Sequence, residues 1–314
     1  MDPGPDGAGE ATIEAPTVAV CICTYRRPDV LRRLLVRLVD DIADLGGRAR
    51  VGVVVVDDDP AQSASSVVAE FEDRFELKLH GRTSGSGDIS KARNLAIDTG
   101  RTIGEWLAII DDDCMPDVGW LRNLLAVQAA EDADCVSGAC IDEAPPGAPD
   151  WLTEEPFLEM PVDLPDGTPI EMGHLKNTMV RASLTGPGKV RFRDELGVSS
   201  GEDAVFFFDL HDLDVTHVFA SGAVVREQVP VERSTLRYQL RRAFWYGNTQ
   251  AVTTQYAGTS TRPRLMAGGA KRVLQSLRWF VPSGGRWRWR YGVAELLGGV
   301  GRSLGALGVR IDHP

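Results

Sequence analysis

The sequence predicts an α/β protein with a mostly parallel central sheet that is flanked by helices. Short β-branched, apolar runs alternate along the chain with segments whose apolar residues recur at helical spacing. Two of the runs, VGVVVV and WLAII, are apolar throughout, which is typical of central strands covered on both faces. Alternation of strands and helices over about residues 17–140 indicates a doubly wound sheet.

Four strands are predicted from the apolar runs. They cover residues 17–23, 51–56, 106–110 and 223–225, and regular structure of unassigned type is expected around NTMV, residues 177–180. Polar or acidic residues follow the first three strands directly, in the segments TYRR, DDDP and DDDC. Because ligands of doubly wound sheets bind beyond the carboxyl ends of the strands, we expect these three segments to meet at one crevice.

Helices are predicted between and after these strands. The helix over residues 90–100 is predicted to begin at Ser90 as its N-cap and to end at Gly100. The remaining helices are predicted after Pro28, after Pro116, around Phe206 and over residues 234–247. Residues 141–176 are rich in Pro, Gly and acids, as a long functional loop would be.

Composition excludes several classes of protein. The 314-residue chain carries a net charge of −11, which argues against a nucleic-acid partner. Its five cysteines form no CxxC pair, so we expect neither a disulfide framework nor a zinc site, but a reducing compartment. Residues 1–15 are predicted to be a disordered tail without the features of a signal peptide. We therefore expect a cytoplasmic protein.

The triple carboxylate Asp111, Asp112 and Asp113 at the end of a buried strand requires a chemical explanation. Adjacent carboxylates raise one another's pKa unless a positive charge offsets the repulsion. Mg²⁺ or Mn²⁺ would supply that charge, because such cations prefer carboxylate oxygens and complete their coordination with phosphate and water. The alternative is a solvated acidic loop, which would not account for the position at a strand end.

Six motifs in order resemble those of the family 2 glycosyltransferases, inverting enzymes of the GT-A fold. They are VAVCICTYRRPDVLRRLL, VVVVDDDP, SKARNLAID, WLAIIDDDCMPDVGWL, GEDAVFFFDL and LRRAFWYGN. The resemblance covers about residues 17–250. It implies a Rossmann-like sheet with a nucleotide-sugar-binding half over 16–140 and an acceptor-binding half over 141–250, followed by a C-terminal helical extension over 251–314.

The resemblance implies a nucleotide-sugar donor, with a UDP-sugar expected, and Mn²⁺ or Mg²⁺ as cofactor. Asp57 and Asp58 would bind the nucleoside, and Thr24, Tyr25 and Arg26 would line the base pocket. Arg93 would approach the diphosphate or brace the acidic loop, which Asn94 would help to fix. Asp111 and Asp113 would hold the metal, with Asp112 nearer the sugar or ribose. For Tyr25 and Asn94, plain packing or capping roles remain open.

The segment SGED is expected to supply the catalytic base. Inverting transfer needs a group that takes the acceptor's proton on the side opposite the departing diphosphate. The resemblance assigns that role to Asp203 and gives Glu202 a role in contacting the acceptor or orienting the helix. A simple N-cap is the competing interpretation.

Three further features are open. Many relatives have a histidine after the last strand as a metal ligand, whereas this chain has Arg226 and Glu227, so Glu227 is a candidate ligand. Arg241 and Arg242 could clamp a diphosphate or an anionic acceptor, or form a solvated basic face. The segment RWFVPSGGRWRWRYG mixes Trp with Arg, so it could contact a membrane surface peripherally or form a dimer.

Two other functions compete with transfer. Haloacid-dehalogenase-type phosphatases also place Asp-x-Asp after an apolar strand, but on their first strand, whereas here more than one hundred residues precede it. A non-catalytic sugar-nucleotide-binding protein of the same fold is the other alternative. The identity of the acceptor is open among saccharides, lipid-linked molecules, peptides and natural products.

Overall fold

The computed structural model describes residues 15–160, 162–196, 201–282 and 287–311. Within these residues, eight strands form one sheet. They are β1 (Thr17–Thr24), β2 (Arg50–Asp57), β3 (Leu79–Thr83), β4 (Trp106–Ile110), β5 (Cys114–Pro116), β6 (Cys135–Glu143), β7 (Asn177–Arg181) and β8 (His217–Gln228). The predicted tail lies outside the described residues, apart from Ala15.

Helices cover the sheet and continue beyond it. They are α1 (Pro28–Ala43), α2 (Ser65–Phe71), α3 (Ile89–Gly100), α4 (Trp120–Glu131), α5 (Trp151–Glu154), α6 (Glu202–His211), α7 (Leu236–Tyr256), α8 (Arg262–Ser276) and α9 (Trp289–Ala306). The predicted fold class, a mixed and mostly parallel sheet with flanking helices and a helical C-terminal extension, is confirmed.

Strand direction decides where the site forms. The sheet order is β3-β2-β1-β4-β7-β6-β8-β5, with β7 and β5 antiparallel to their neighbours and the other pairs parallel. The carboxyl ends of β1, β2, β4, β6 and β8 therefore lie at one edge of the sheet, together with the amino end of β7. The chain segments that follow these ends form a single crevice, as expected for such sheets.

Alternate residues of the strands fill two cores, one on each face of the sheet. Val53 and Val55 of β2 pack on the side of the α1 leucines, whereas Val54 and Val56 pack on the other side with Ala92 and Ala96 of α3. Because successive side chains of a strand point to opposite faces, a continuous apolar run is what a strand covered on both faces requires.

Several elements differ from those predicted. β3, β5 and β6 were not predicted, because β3 is a polar edge strand, β5 has three residues and β6 contains Gly and Ser. Asp88, not Ser90, caps α3, since its carboxylate accepts hydrogen bonds from the N–H groups of Ser90 and Lys91. β6 continues past residue 140 and α7 past residue 250, so both expected domain boundaries fall inside regular elements.

The C-terminal helices pack unusually closely. α7 continues past Gly247, where a Cβ atom would lie 1.9 Å from the backbone oxygen of Gly298 in α9. At Gly301 of α9, a Cβ atom would lie 2.0 Å from the backbone oxygen of Phe244. Glycine at these positions lets the two helix backbones approach, which explains why Gly247 does not end the helix. Among the described residues, no helix has the length and apolar character needed to cross a membrane.

The beginning of α9 also holds the loop that follows β6. Glu155, which is 4% exposed, accepts hydrogen bonds from Arg290 at 3.0 Å and from the N–H of Tyr291 at 2.7 Å. The Phe157 ring packs edge-on against Tyr291 with ring centroids 5.4 Å apart. The C-terminal helices therefore support one wall of the crevice.

Candidate active site

The acidic motif after β4 is divided between the interior and the crevice. Asp112 is fully buried and accepts a hydrogen bond of 2.6 Å from the Thr24 hydroxyl at the end of β1. Arg27 lies 2.6 Å from Asp112 and 2.8 Å from Asp113. Burial raises the pKa of Asp112 to about 7, against the opposing effects of Arg27 and Thr24. Asp112 thus anchors the motif, and Asp111 and Asp113 face the crevice.

A cavity of about 480 Å³ occupies this crevice. Six carboxylates line it: Asp111, Asp113, Asp142, Glu159, Asp203 and Glu227. Arg27 and Lys176 also line the cavity, and α7 contributes Tyr238, Gln239, Arg242, Trp245 and Tyr246. A cavity of this size accommodates a sugar and part of a second molecule.

One corner of the cavity fits a hard divalent cation. Ligand atoms of Asp113, Cys114 and Glu227 all lie within 4.8 Å of one another, because β5 and β8 pair Cys114 directly with Glu227. Burial strongly raises the pKa of the Cys114 thiol, so the two carboxylates are the chemically suitable donors for Mg²⁺ or Mn²⁺. The pKa of Asp111 is also raised, by burial and by the negative charges of Asp113 and Asp203. A bound cation would relieve that repulsion.

Glu227, the candidate metal ligand near the end of β8, lines the cavity. Strand alternation points Glu227 into the cavity and Arg226 away from it, where Arg226 pairs with Asp117 at 2.8 Å. Lys176, just before β7, donates a hydrogen bond of 2.7 Å to Glu227. His174 also lines the cavity and lies 3.5 Å from Glu159.

The expected base lies at the beginning of α6. Arg93 of α3 pairs with Asp203, donates a hydrogen bond of 2.7 Å to Glu202 and lies 3.5 Å from Asp111. The Asp203 side chain is 45% exposed and lines the cavity, whereas Glu202 is buried. Desolvation by the surrounding protein raises the pKa of this partly exposed Asp203 to about 6, with Arg93 opposing and Glu202 reinforcing the shift. Of the two acidic residues, only Asp203 lines the cavity.

A second cavity, of about 340 Å³, adjoins the first. Thr24, Tyr25 and Asp58 line it, and Arg27 lines both cavities. One oxygen of Asp58 accepts hydrogen bonds from the N–H groups of Ser86 and Gly87 at 2.9 and 3.2 Å. The carboxylate is thereby fixed in the cavity wall.

Four of the predicted site residues are placed elsewhere. Both oxygens of Asp57 accept backbone N–H groups, of Asp59 at 3.0 Å and Ala64 at 2.7 Å. Arg26 is exposed and pairs with the buried carboxylate of Asp59 at 3.2 Å. The remaining two also lie away from the acidic motif.

Asn94 and Arg241 are the other two. The Asn94 side chain exchanges hydrogen bonds with the backbone of Phe192, at 2.8 and 3.0 Å, and so fixes that segment rather than the acidic loop. Arg241 is exposed and does not line the cavity, whereas its neighbour Arg242 does and stacks its guanidinium 5.1 Å from the ring centre of Tyr246.

Sequence reasoning did not single out Arg27 or Lys176. Arg27 belongs to the TYRR segment, whose position after β1 already indicated the crevice. Lys176 precedes an antiparallel strand, and only that strand's direction brings its amino end to the crevice. Strand direction could not be derived from the apolar pattern alone.

Comparison with known protein families identifies the family of this chain. The family model described as "Glycosyl transferase family 2" matches residues 19–185, more than half of the chain. This chain belongs to glycosyl transferase family 2. It is a glycosyltransferase, and the phosphatase and non-catalytic alternatives are not favoured.

Individual relatives agree with the family. This glycosyltransferase is 32% identical over 235 residues to the succinoglycan biosynthesis protein ExoM of Rhizobium meliloti (strain 1021), covering 74% of this chain and 73% of ExoM. Among solved structures, S. aureus TarS 1–349 in complex with UDP superposes with a TM-score of 0.53 at 14% identity, covering 93% of this chain and 92% of that one.

Two other solved structures share the fold over part of their length. TarS 1–349 in complex with UDP-GlcNAc has a TM-score of 0.52 at 17% identity, covering 68% of this chain and 59% of that one. GalNAc-T7 with UDP, GalNAc and Mn²⁺ has a TM-score of 0.54 at 14% identity, covering 77% of this chain and 50% of that one. The glycosyltransferase spans 38% of the longer TarS chain. At these identities the likeness shows the GT-A fold.

Proposed function

We propose that this glycosyltransferase moves a sugar from a UDP-sugar to an acceptor hydroxyl with inversion at the anomeric carbon. The observation that carries the proposal is the shared cavity, whose lining includes Asp111, Asp113 and Glu227 together with Asp203 from the beginning of α6. One group of carboxylates suits a cation and a diphosphate, and the separate carboxylate suits a base.

The nucleoside would occupy the smaller cavity. The Asp58 carboxylate would accept the imide N–H of uracil, while Thr24 and Tyr25 line the space around it. Arg27 borders both cavities, so its guanidinium is placed to meet a diphosphate that passes between them. Fold neighbours solved with UDP and with UDP-GlcNAc support this choice of nucleotide.

Asp111, Asp113 and Glu227 would hold Mn²⁺ or Mg²⁺. When bound, the cation would offset the negative charge that builds on the departing diphosphate. Lys176 holds Glu227 in position at 2.7 Å, and Arg27 holds Asp113 at 2.8 Å. The structure of GalNAc-T7 with UDP, GalNAc and Mn²⁺ supports the class of cation.

Asp203 would accept the proton of the acceptor hydroxyl as that oxygen attacks the anomeric carbon. With a pKa of about 6, its carboxylate is largely ionised at neutral pH but still basic enough to bind a proton. Arg93 and Glu202 position it from behind. Since this mechanism needs one displacement and no enzymic nucleophile, an α-linked donor gives a β-linked product.

The acceptor side would be formed by α7. Tyr238, Tyr246 and the guanidinium of Arg242 line the cavity, an arrangement that suits a saccharide ring with a polar or anionic substituent. The relationship to a succinoglycan biosynthesis protein supports a saccharide acceptor.

All five cysteines are free and four are buried, which supports a cytoplasmic location.

The decisive experiment combines a donor screen with one isosteric variant. Release of UDP, GDP or dTDP from a panel of sugar nucleotides identifies the donor, and NMR of the product gives its anomeric configuration. Asp203→Asn should lower turnover by about 10²- to 10⁴-fold while donor affinity stays nearly unchanged. Wild-type turnover in that variant, or a product that retains the donor's configuration, would refute the assignment.

A further inference from the structure

The outer face of α8 and the segment after it form a basic and apolar surface on an otherwise acidic protein. Residues 262–311 contain ten Lys and Arg residues and one acidic residue, Glu295, although the whole chain has a net charge of −11. Glu295 is already paired with Arg272 at 2.8 Å. The positive charge of this region is therefore not neutralised from within it.

The exposed residues of α8 lie along one stripe. Exposed residues recur at helical spacing at Arg264, Lys271 and Leu274 of α8 and at Arg278 just beyond its end. Leu265 and Gly269 on the opposite face are buried against the rest of the protein. Leu274 is 67% exposed. The stripe therefore combines cations with an unburied leucine.

Large apolar side chains extend this stripe beyond the helix. Leu277, Val281 and Trp287 are 58%, 66% and 60% exposed. The Trp279 ring lies between Arg278 and Arg288, 4.9 and 5.8 Å from the two guanidinium carbons, and so brings the two segments together. These side chains and the stripe constitute what we term the C-terminal patch: Arg264, Lys271, Leu274, Leu277, Arg278, Val281, Trp287 and Arg288.

We propose that the C-terminal patch docks on the surface of an anionic phospholipid bilayer. Cations next to exposed Leu, Val and Trp match the two layers of such a surface, since the cations meet phosphate groups and the apolar side chains enter the boundary below them. The net negative charge of the remaining chain opposes any other orientation toward an anionic surface. The protein lies on the membrane rather than spanning it, in accord with its described helices.

Vesicle sedimentation tests the proposal with the full-length protein. The protein should bind vesicles of phosphatidylcholine mixed with phosphatidylglycerol, and should not bind phosphatidylcholine alone. Arg264→Gln combined with Lys271→Gln should weaken binding roughly 30-fold, because each cation at an anionic surface contributes about a fivefold factor. Leu277→Ser combined with Val281→Ser should weaken binding at least about tenfold.

A matched pair elsewhere on the surface provides the control. Val118→Ser combined with Leu213→Ser removes apolar side chains that are 66% and 50% exposed but lie outside the patch, and should leave vesicle binding unchanged. Absence of binding to the anionic vesicles, or equal losses in patch and control variants, would overturn the proposal. So would a patch variant that binds vesicles normally but changes the mass measured by analytical ultracentrifugation, because the patch would then join two copies of the chain.

Discussion

Arg93 donates a 2.7 Å hydrogen bond to Glu202 and thereby ties α3 to the beginning of α6. The same guanidinium pairs with Asp203 and lies 3.5 Å from Asp111. One buried cation therefore bridges the proposed base and the acidic motif. Its positive charge opposes the uptake of a proton by Asp203.

The first prediction concerns the pH dependence of turnover. A base must be deprotonated to act, so kcat/KM should fall as the pH drops through about 6, the value to which desolvation in the cavity raises the pKa of Asp203. Arg93→Met removes the positive charge that lowers this pKa, so the acidic limb of the kcat/KM profile should move to higher pH. Glu202→Gln removes a negative neighbour that raises it, so the limb should move to lower pH.

Opposite movements of the limb distinguish electrostatic control from general damage to the site. Arg191→Met serves as the control, because it breaks a comparable ion pair with Asp98 at 2.7 Å outside the cavity and should leave the limb in place. Thermal melts verify that each variant is folded. Movement of the limb in the same direction for Arg93→Met and Glu202→Gln would contradict the assignment of Asp203.

The second prediction concerns the cation. UDP should bind at least about tenfold more tightly with Mn²⁺ than with a chelator, as calorimetry would measure. Asp113→Asn and Glu227→Gln should each remove most of this difference. Asp117→Asn should preserve it, because Asp117 pairs with Arg226 away from the cavity. Equal UDP affinities of the wild-type protein with Mn²⁺ and with chelator would exclude the proposed cation site.

The third prediction separates the neighbouring carboxylates of the nucleoside cavity. Asp58→Asn should weaken UDP binding by about 10- to 100-fold, since a hydrogen bond to a charged acceptor contributes about 1.5–3 kcal/mol. Asp59→Asn should not, because Asp59 pairs with Arg26 outside the cavity. Binding is measured by calorimetry at saturating Mn²⁺. An unchanged UDP affinity of the Asp58 variant would show that the uracil ring does not bind beside Asp58.

The fourth prediction concerns the close packing of α7 and α9. Gly301→Ala would place a Cβ atom 2.0 Å from the backbone oxygen of Phe244, so it should destabilise the fold by about 1–3 kcal/mol. Gly268→Ala is the matched control, because its Cβ atom would meet only the flexible side chain of Arg302, at 3.1 Å. That variant should be neutral or slightly stabilising, since alanine favours helix. Urea unfolding of both variants tests whether the helices meet as described.

Sequence reasoning predicted the sheet and the acidic motif because both are encoded locally. The run before Asp111 is apolar throughout, and a strand buried on both faces must be so. The sequence alone could not distinguish Asp57 from Asp58, since adjacent carboxylates have the same sequence signal but point to different partners. Backbone N–H groups bind both oxygens of Asp57, whereas Asp58 lines a cavity.

Residues that arrive from distant segments were the least predictable. Lys176 reaches Glu227 because β7 runs antiparallel and begins at the crevice, a fact of sheet topology rather than of composition. The ion pairs of Arg93 with Glu202 and Asp203 span more than one hundred residues. The end of α7 was also predicted wrongly. Glycine commonly ends a helix, but Gly247 lies within α7, where the backbone of Gly298 in α9 leaves no room for a Cβ atom.

The burial of Glu155 beneath α9 has a consequence for engineering and for the divergence of such enzymes. Its carboxylate has two partners, Arg290 and the N–H of Tyr291, both contributed by residues near the C-terminus. A chimera that replaces the loop around Glu155 to change the acceptor would leave those donors unmatched, or would bury an uncompensated charge. Loop and terminal helix therefore have to be exchanged together, as a single cassette that is discontinuous in sequence.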